Sequence, residues 1–396
     1  MRARTISTRR YRARVYSHKT PGFRDARGSN VLIYWPHGFG DWVQLGYVLP
    51  LLEPSNRYWI TRFGDDNVSL LEGHPHVRPA YTGFNATHCH DGGAFGIRHF
   101  GIEQSQVDGG ELELQLPLAT FELCRQESID VVFWSSFPEP AGLSGFPFHS
   151  KARNLLRYLL REGDPRAGAL DRPLPSALSF EPPAWAQRWV EARMNNLAEM
   201  AGHRLCIVGR NGYTSVGKNW GHLWREELPP EKAREGEECR DFMRALRRKD
   251  RRWMFLVMED RLFEGDDTVR SPELRAFSYA ELFGTPDDSA LPFGLVMRAL
   301  LHLAELVVGV PAGPYHLSMA KADVPTVGIW TEHLPCWFDE PNSCSVHLVG
   351  RNVRDRGLER RPGSFASMGG LRFDLRWLDT RIIPAAEVVS AVEHLL

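Results

Sequence analysis

Three short stretches of this 396-residue chain carry side chains that could do chemistry. The first is "PHGFGD", residues 36–41, where Gly38 and Gly40 flank a phenylalanine and Asp41 follows at the start of a helical pattern. The glycines let the backbone turn sharply and approach a ligand with no Cβ in the way. A carboxylate in the first turn of a helix lies at the positive end of the dipole, which favours its ionised form. Asp41 is therefore a candidate for binding or proton transfer, and equally a candidate N-cap serving stability alone. The stretch is not a G-x-G-x-x-G fingerprint: the next glycine is Gly46, and no acid is spaced for a ribose.

The second stretch is "GRNGYTSVGKNW", residues 209–220, with Arg210, Asn211, Thr214, Ser215 and Lys218. A lysine in a hydroxyl-rich loop beyond a strand suits phosphate oxygens. No Walker A sequence is present, and a solvated loop lysine is the plainer reading. The third runs from 307 to 330, "VVGVPAGPYHLSMAKADVPTVGIW". A strand ends, Ala312, Gly313 and Pro314 turn the chain, and a helix begins with proline in its first turn. Backbone N–H groups at such a helix start form an anion site. His316 could add a donor, or be a core or helix-surface histidine.

Other candidates are weaker. "HCHD", residues 88–91, offers four potential metal ligands in a row, which cannot all reach one ion; a polar loop is the default, and no metal is expected. The six cysteines form no C-x-x-C pair and imply no disulfide framework, which fits a reduced compartment.

The elements that position these loops follow from periodicity. Continuous apolar runs at 31–35, 129–134, 204–209, 252–258, 306–310 and 325–330 read as strands buried on both faces of a parallel sheet, with a further strand at 57–63. Amphipathic helical patterns alternate with them, from Trp42 to Leu52, over 150–161, 184–197, 240–248 and 295–305, and at the C-terminus. The predicted class is α/β, two doubly wound Rossmann-like domains facing a central cleft. A proline-rich change of composition places a linker at 166–183 between an N-terminal domain, 29–165, and a C-terminal domain, 184–396. The last helix is a candidate to pack back on the first domain.

Composition bounds the partners. Net charge is −1 and 43% of residues are hydrophobic, which argues against a nucleic-acid binder by bulk charge. Residues 1–20 nevertheless carry Arg2, Arg4, Arg9, Arg10, Arg12, Arg14 and Lys19 and no acid. Residues 1–28 read as a basic tail, poorly ordered or touching an anionic membrane face or a phosphorylated partner. No secretory signal is visible and no apolar run reaches the ~20 residues of a membrane span. The expectation is a cytoplasmic protein, peripheral at most at the inner face of the membrane.

Taken together the three loops resemble the heptosyltransferase-like glycosyltransferases of family nine, which have the glycosyltransferase-B fold. "VLIYWPHGFGDWVQLGYVLPLL" looks like that family's opening strand, Gly-x-Gly-Asp loop and helix. "GKNW" resembles its lysine-Trp loop, and residues 303–335 are similar to its Asp-Ser/Thr-Gly-x-x-His segment. The resemblance implies inverting transfer of a heptose or other sugar from a nucleotide-diphosphate sugar to a glycan or glycolipid of a lipopolysaccharide or other cell-surface pathway. No metal or cofactor beyond the donor is implied. Asp41 would be the general base and Lys218 the neutraliser of the donor diphosphate. Gly313, Pro314 and His316 would line the diphosphate site, with Gly38, Gly40, Arg210, Asn211, Thr214 and Ser215 as further substrate contacts.

Two departures stand out. Pro311 and Ala312 replace the family's Asp-Ser/Thr, removing an acid, a hydroxyl and one backbone donor. "VMED" after the 252–258 strand lacks the glycines usual there, so a reshaped base pocket is expected. These departures leave open a nucleotide-sugar-binding protein that has lost catalysis and acts through a partner, and a related-fold sugar-nucleotide epimerase.

Overall fold

The computed structural model describes residues 8–17, 23, 25–35, 38–61, 68–72, 74, 77–79, 110–134, 151–160, 163–174, 176, 178, 180–195, 202–210, 220, 237–259, 262, 269–284, 290–331, 333–355 and 373–396. The first half runs β1 (Thr8–Tyr16), β2 (Asn30–Tyr34), α1 (Phe39–Val48), β3 (Arg57–Thr61), β4 (Val77–Pro79), β5 (Glu111–Pro117), α2 (Leu118–Gln126), β6 (Val131–Trp134) and α3 (Lys151–Leu159). The second begins with α4 (Ala184–Asn195), β7 (Arg204–Gly209), α5 (Glu237–Lys249), β8 (Trp253–Val257), β9 (Arg270–Ser271), β10 (Ala276–Ser278) and α6 (Tyr279–Phe283). It continues through α7 (Phe293–Leu303), β11 (Ala304–Gly309), α8 (Gly313–Lys321), β12 (Thr326–Trp330), β13 (Ser345–Val349), α9 (Arg351–Asp355), β14 (Asp374–Trp377) and α10 (Ala385–Leu395).

Among the described residues these strands form two sheets, ordered β4-β3-β2-β6-β1-β5 and β14-β13-β12-β11-β7-β8-β10-β9. Pairing is parallel except for β5 against β1 and β9 against β10. Strand order reverses about the middle of each sheet, the doubly wound pattern expected from the alternating elements. The apolar runs at 31–35, 204–209 and 252–258 became central strands, because a strand covered on both faces must be apolar on both.

The N-terminus departs from the basic tail expected over 1–28. Thr8–Tyr16 is β1, an interior strand between β6 and β5. Arg10, Arg12 and Arg14 follow a period of two, with Arg9 on the face of Tyr11. Ala13 and Val15 are buried and Tyr11 partly so, in a cluster with Leu114, Leu116 and Val132. Arg10, Arg12 and Arg14 take the other face. There Arg10 pairs with Glu113 at 3.2 Å and Arg14 with Asp130 at 2.9 Å. Strand β5 supplies its acids at the same period, so the apparent tail is one face of a charge-matched strand pair.

The segment expected as a linker is built into the core. Asp164 caps a 3-10 turn, Pro165–Asp171, by accepting from the Arg166 N–H, and Leu174 and Leu178 are buried beyond it. The last helix also departs from expectation. α10 packs on α5, β12 and β13 of the second sheet, burying Val388, Val389 and Val392, and Glu393 pairs with Lys249. Its apolar face matches that sheet's uncovered side, so it has no need of the first half.

One cluster of buried residues crosses from one sheet to the other. Val31 and Ile33 of β2, Val43 and Leu45 of α1, Leu205 and Ile207 of β7, Leu256 of β8 and Leu317 of α8 all belong to it. Polar ties reinforce it: Arg298 of α7 donates to the Glu72 carbonyl at 3.1 Å.

Candidate functional site

Strand β2 ends at buried Tyr34, followed by Trp35, and α1 opens at Phe39, residues 36–37 lying outside the described residues. Gly38 is the N-cap, with no side-chain cap bond; its carbonyl accepts from the N–H of Asp41 at 3.0 Å and of Trp42 at 3.2 Å. The cap reading of Asp41 is thereby corrected: the helix opens at Phe39, so Asp41 is its third residue with helical backbone, and Gly38 holds the cap position. The Asp41 carboxylate turns back toward Gly38, Oδ2 lying 3.8 Å from where a Cβ on that glycine would stand. Two indoles brace the turn, Trp42 Nε1 donating to the Trp35 carbonyl at 3.1 Å and Trp35 Nε1 to the Asp41 carbonyl at 3.3 Å.

Across from it, β11 ends at Gly309 and α8 opens at Gly313 with Ala312 as N-cap. Pro311 is buried. The Ala312 N–H is already used by the Val310 carbonyl at 2.6 Å, and Pro314 has none to give. The anion site expected at this start is thus reduced to the N–H groups of Gly313 and Tyr315.

The two helix starts touch. A Cβ on Gly40 would stand 2.7 Å from His316 Cδ2, and one on Gly313 would stand 2.5 Å from Phe39 Cδ1. Both distances are below any normal contact, so glycine at 40 and 313 is what lets α1 and α8 meet. The Phe39 ring continues edge-on into Phe293 of α7, with centroids 4.9 Å apart, and Phe293 into Tyr279, 5.5 Å away. The central cleft expected between the halves is closed at this point by apolar contact.

His316 is 3% exposed, so the helix-surface reading is excluded. Its Nδ1 lies 2.9 Å from Oδ1 of Asp339, a fully buried carboxylate beyond the 3-10 turn Pro335–Trp337. The next residue, Glu340, binds Arg153 of α3 through Nε at 3.0 Å and through Nη2. Arg153 also donates to the carbonyls of Leu170 and Arg172, and Leu174 N–H donates to Glu340 at 3.2 Å. Asp339, Glu340, Arg153 and Phe39 were not singled out in the sequence. Their signal was faint: two adjacent acids, "FDEP", in an apolar and proline-rich surround.

At the carboxyl ends of β7 and β8, Arg210 is buried and held by Glu259, Nη2 to Oε2 at 2.5 Å and Nε to Oε2 at 3.2 Å. The acid of "VMED" therefore engages an arginine expected among the substrate contacts. Asn211, Thr214, Ser215 and Lys218 lie outside the described residues, as does "HCHD". Among the described residues no group of three or more His, Cys, Asp or Glu could hold a metal, and no helix is long and apolar enough to cross a membrane. The thiols of Cys124, Cys239 and Cys336 are pushed up to about 12 by burial and are poor nucleophiles.

No family model matches the chain, and no curated protein matches it in sequence. Among solved structures it is similar to the E. coli ADP-heptose lps heptosyltransferase II, with a TM-score of 0.54 and 11% identity over 92% of this chain and 98% of that one. The fold is of the glycosyltransferase-B type. A glycosyl transferase family 9 structure from Veillonella parvula DSM 2008 also matches, with a TM-score of 0.48 and 11% identity over 93% of this chain and 97% of that one. At such identity the likeness to the heptosyltransferase is one of fold. In this fold the starts of α1 and α8 follow the carboxyl ends of central strands of the two sheets, where doubly wound sheets bind ligands.

Proposed function

We propose that the chain is an inverting glycosyltransferase that moves a sugar, heptose or other, from a nucleotide-diphosphate sugar to a glycan or glycolipid acceptor. The observation that carries this reading is the meeting of two helix starts at the carboxyl ends of two doubly wound sheets, one bearing Asp41 and the other His316. Asp41 would take the proton of the acceptor hydroxyl as its oxygen attacks the donor's anomeric carbon from the face opposite the leaving diphosphate. The bond from that carbon to the diphosphate breaks, and the diphosphate leaves with the electron pair. Its charge would be met by Lys218 and the N–H groups of Gly313 and Tyr315, with His316 close by. These groups supply positive potential of the kind a divalent metal would otherwise give, which is why the proposal is metal-independent. A donor seated between the two helix starts would move Phe39 off Gly313.

The same contact, with Pro311 and Ala312, favours one second reading: a nucleotide-sugar-binding protein without turnover, acting through a partner. The basic face of β1, where Arg10 and Arg12 are exposed, is the surface we propose for peripheral contact with an anionic membrane.

The test is a thermal-shift panel of ADP, UDP, GDP and their sugars, followed by transfer assays of wild type, Asp41→Ala and Lys218→Ala. Binding raises the melting temperature by mass action. Turnover lost in both variants supports the transferase; stabilisation without turnover in wild type supports the second reading; full activity of Asp41→Ala removes the base assignment.

A further inference from the structure

The buried acid beside His316 has no part in the scheme so far. Asp339 is fully buried, with its backbone N–H fixed to the Pro335 carbonyl at 3.0 Å. A carboxylate at one ring nitrogen of a histidine selects the tautomer and fixes the ring plane. Here the carboxylate takes Nδ1, so the proton of the neutral ring is on Nδ1. The opposite edge of the ring, Cδ2 and Nε2, faces Gly40: a Cβ there would stand 2.7 and 3.5 Å from those atoms. That edge is turned to the helix start that carries Asp41.

The orientation is also tied to the first half. Glu340, next in sequence, is clamped by Arg153, and both bind the connecting segment through the Leu170 and Arg172 carbonyls and the Leu174 N–H. Any shift of one half against the other would pull on the 339–340 turn, and through it on the imidazole. The ionisable groups around the ring are Asp339 and Glu340 from this turn, Tyr315 on α8, Asp41 and Tyr47 on α1, and Arg153 on α3. Burial pushes the Tyr47 and Tyr315 phenols well above their ordinary value, with Asp339 the next cause for both, so they remain neutral. Arg153 is the counter-ion of Glu340.

We infer that Asp339 is a positioning residue. It holds His316 with Nδ1 to its own carboxylate and Nε2 toward the first turn of α1, and the Glu340–Arg153 clamp links that orientation to the relative placement of the two halves. The inference rests on the transferase reading only for its catalytic consequence; the orientation itself is testable without turnover.

The experiment is a long-range 1H–15N correlation spectrum of the full chain labelled with 15N-histidine, for wild type and Asp339→Asn. In wild type we expect the His316 proton on Nδ1, with its resonance displaced downfield by the charged acceptor. In Asp339→Asn that resonance moves upfield or is lost. An Nε2–H tautomer in wild type, or a resonance unmoved in the variant, overturns the inference. Should Asp339→Asn fail to fold, the wild-type spectrum alone decides. Where a donor has been identified, Asp339→Asn lowers kcat by about 10–100-fold, the range for losing a partner that orients a functional imidazole, with donor KM little changed. A fall in melting temperature with kcat intact would mark Asp339 as structural only. If no nucleotide sugar is turned over by wild type, the transferase reading fails and the spectra still test Asp339.

Discussion

Gly40 and His316, 276 positions apart in the chain, are in van der Waals contact, and the contact exists only because residue 40 has no Cβ. The His316 ring is held from its other side by Asp339, so it cannot swing away as the end of a free side chain could. The Gly40→Ala variant must therefore separate α1 from α8 or break the His316–Asp339 bond, at about 1–3 kcal/mol. Gly38→Ala is the control, since its Cβ would meet only Asp41 Oδ2 at 3.8 Å, an ordinary contact. Denaturant unfolding of both variants checks this: Gly40→Ala falls in midpoint and Gly38→Ala does not.

The Arg153–Glu340 pair lies across the two halves with almost no solvent contact, 1% and 5% exposed. Removing one partner takes from a buried charge the oppositely charged group it is hydrogen-bonded to. Glu340→Gln or Arg153→Met should each cost about 3–5 kcal/mol. The double variant should cost less than the sum of the two, and a double-mutant cycle measures that coupling.

His347 gives a pH signature. It is buried, bonded by Trp330 Nε1 at 3.2 Å and close to the Tyr315 hydroxyl at 3.1 Å. Burial lowers its pKa from 6.5 to about 3. The fold thus favours the neutral ring, and the unfolded chain takes up the proton first. The stability this residue supports is complete above pH 6.5 and is lost as pH falls toward 3, at about 1.4 kcal/mol per unit. Carboxylates add their own acid dependence, so the comparison is with His347→Gln, whose stability should fall less steeply between pH 6 and 4.

Deletion of residues 1–16 distinguishes a strand from a tail. The deletion removes β1 from between β6 and β5 and uncovers Leu114, Leu116 and Val132. We expect a large loss of stability and association through the freed strand edges, read by thermal melting and light scattering. A tail could be removed with no change in either.

The central strands were legible because their apolar runs are continuous, and the starts of α1 and α8 because glycine and proline punctuate them. Strand β1 was hidden by its own charge: arginine at every second position reads as a basic block unless the alternating Tyr11, Ala13 and Val15 are weighed with it. The closeness of Gly40 to His316 and of Phe39 to Gly313 was beyond reach, since no local pattern encodes which helix starts meet. The same holds for His316 and Asp339, 23 positions apart with β12 between them. The burial of Leu174 and Leu178 was missed because prolines beside them read as a spacer.

The cluster that carries Val31 and Ile33 of one sheet together with Leu205, Ile207 and Leu256 of the other has a consequence for modularity. A gene cut in the 166–183 segment would yield two fragments, each exposing an apolar face shaped for the other. Such a chain cannot exchange one half for that of a distant relative of the same fold unless both sides of that face change together.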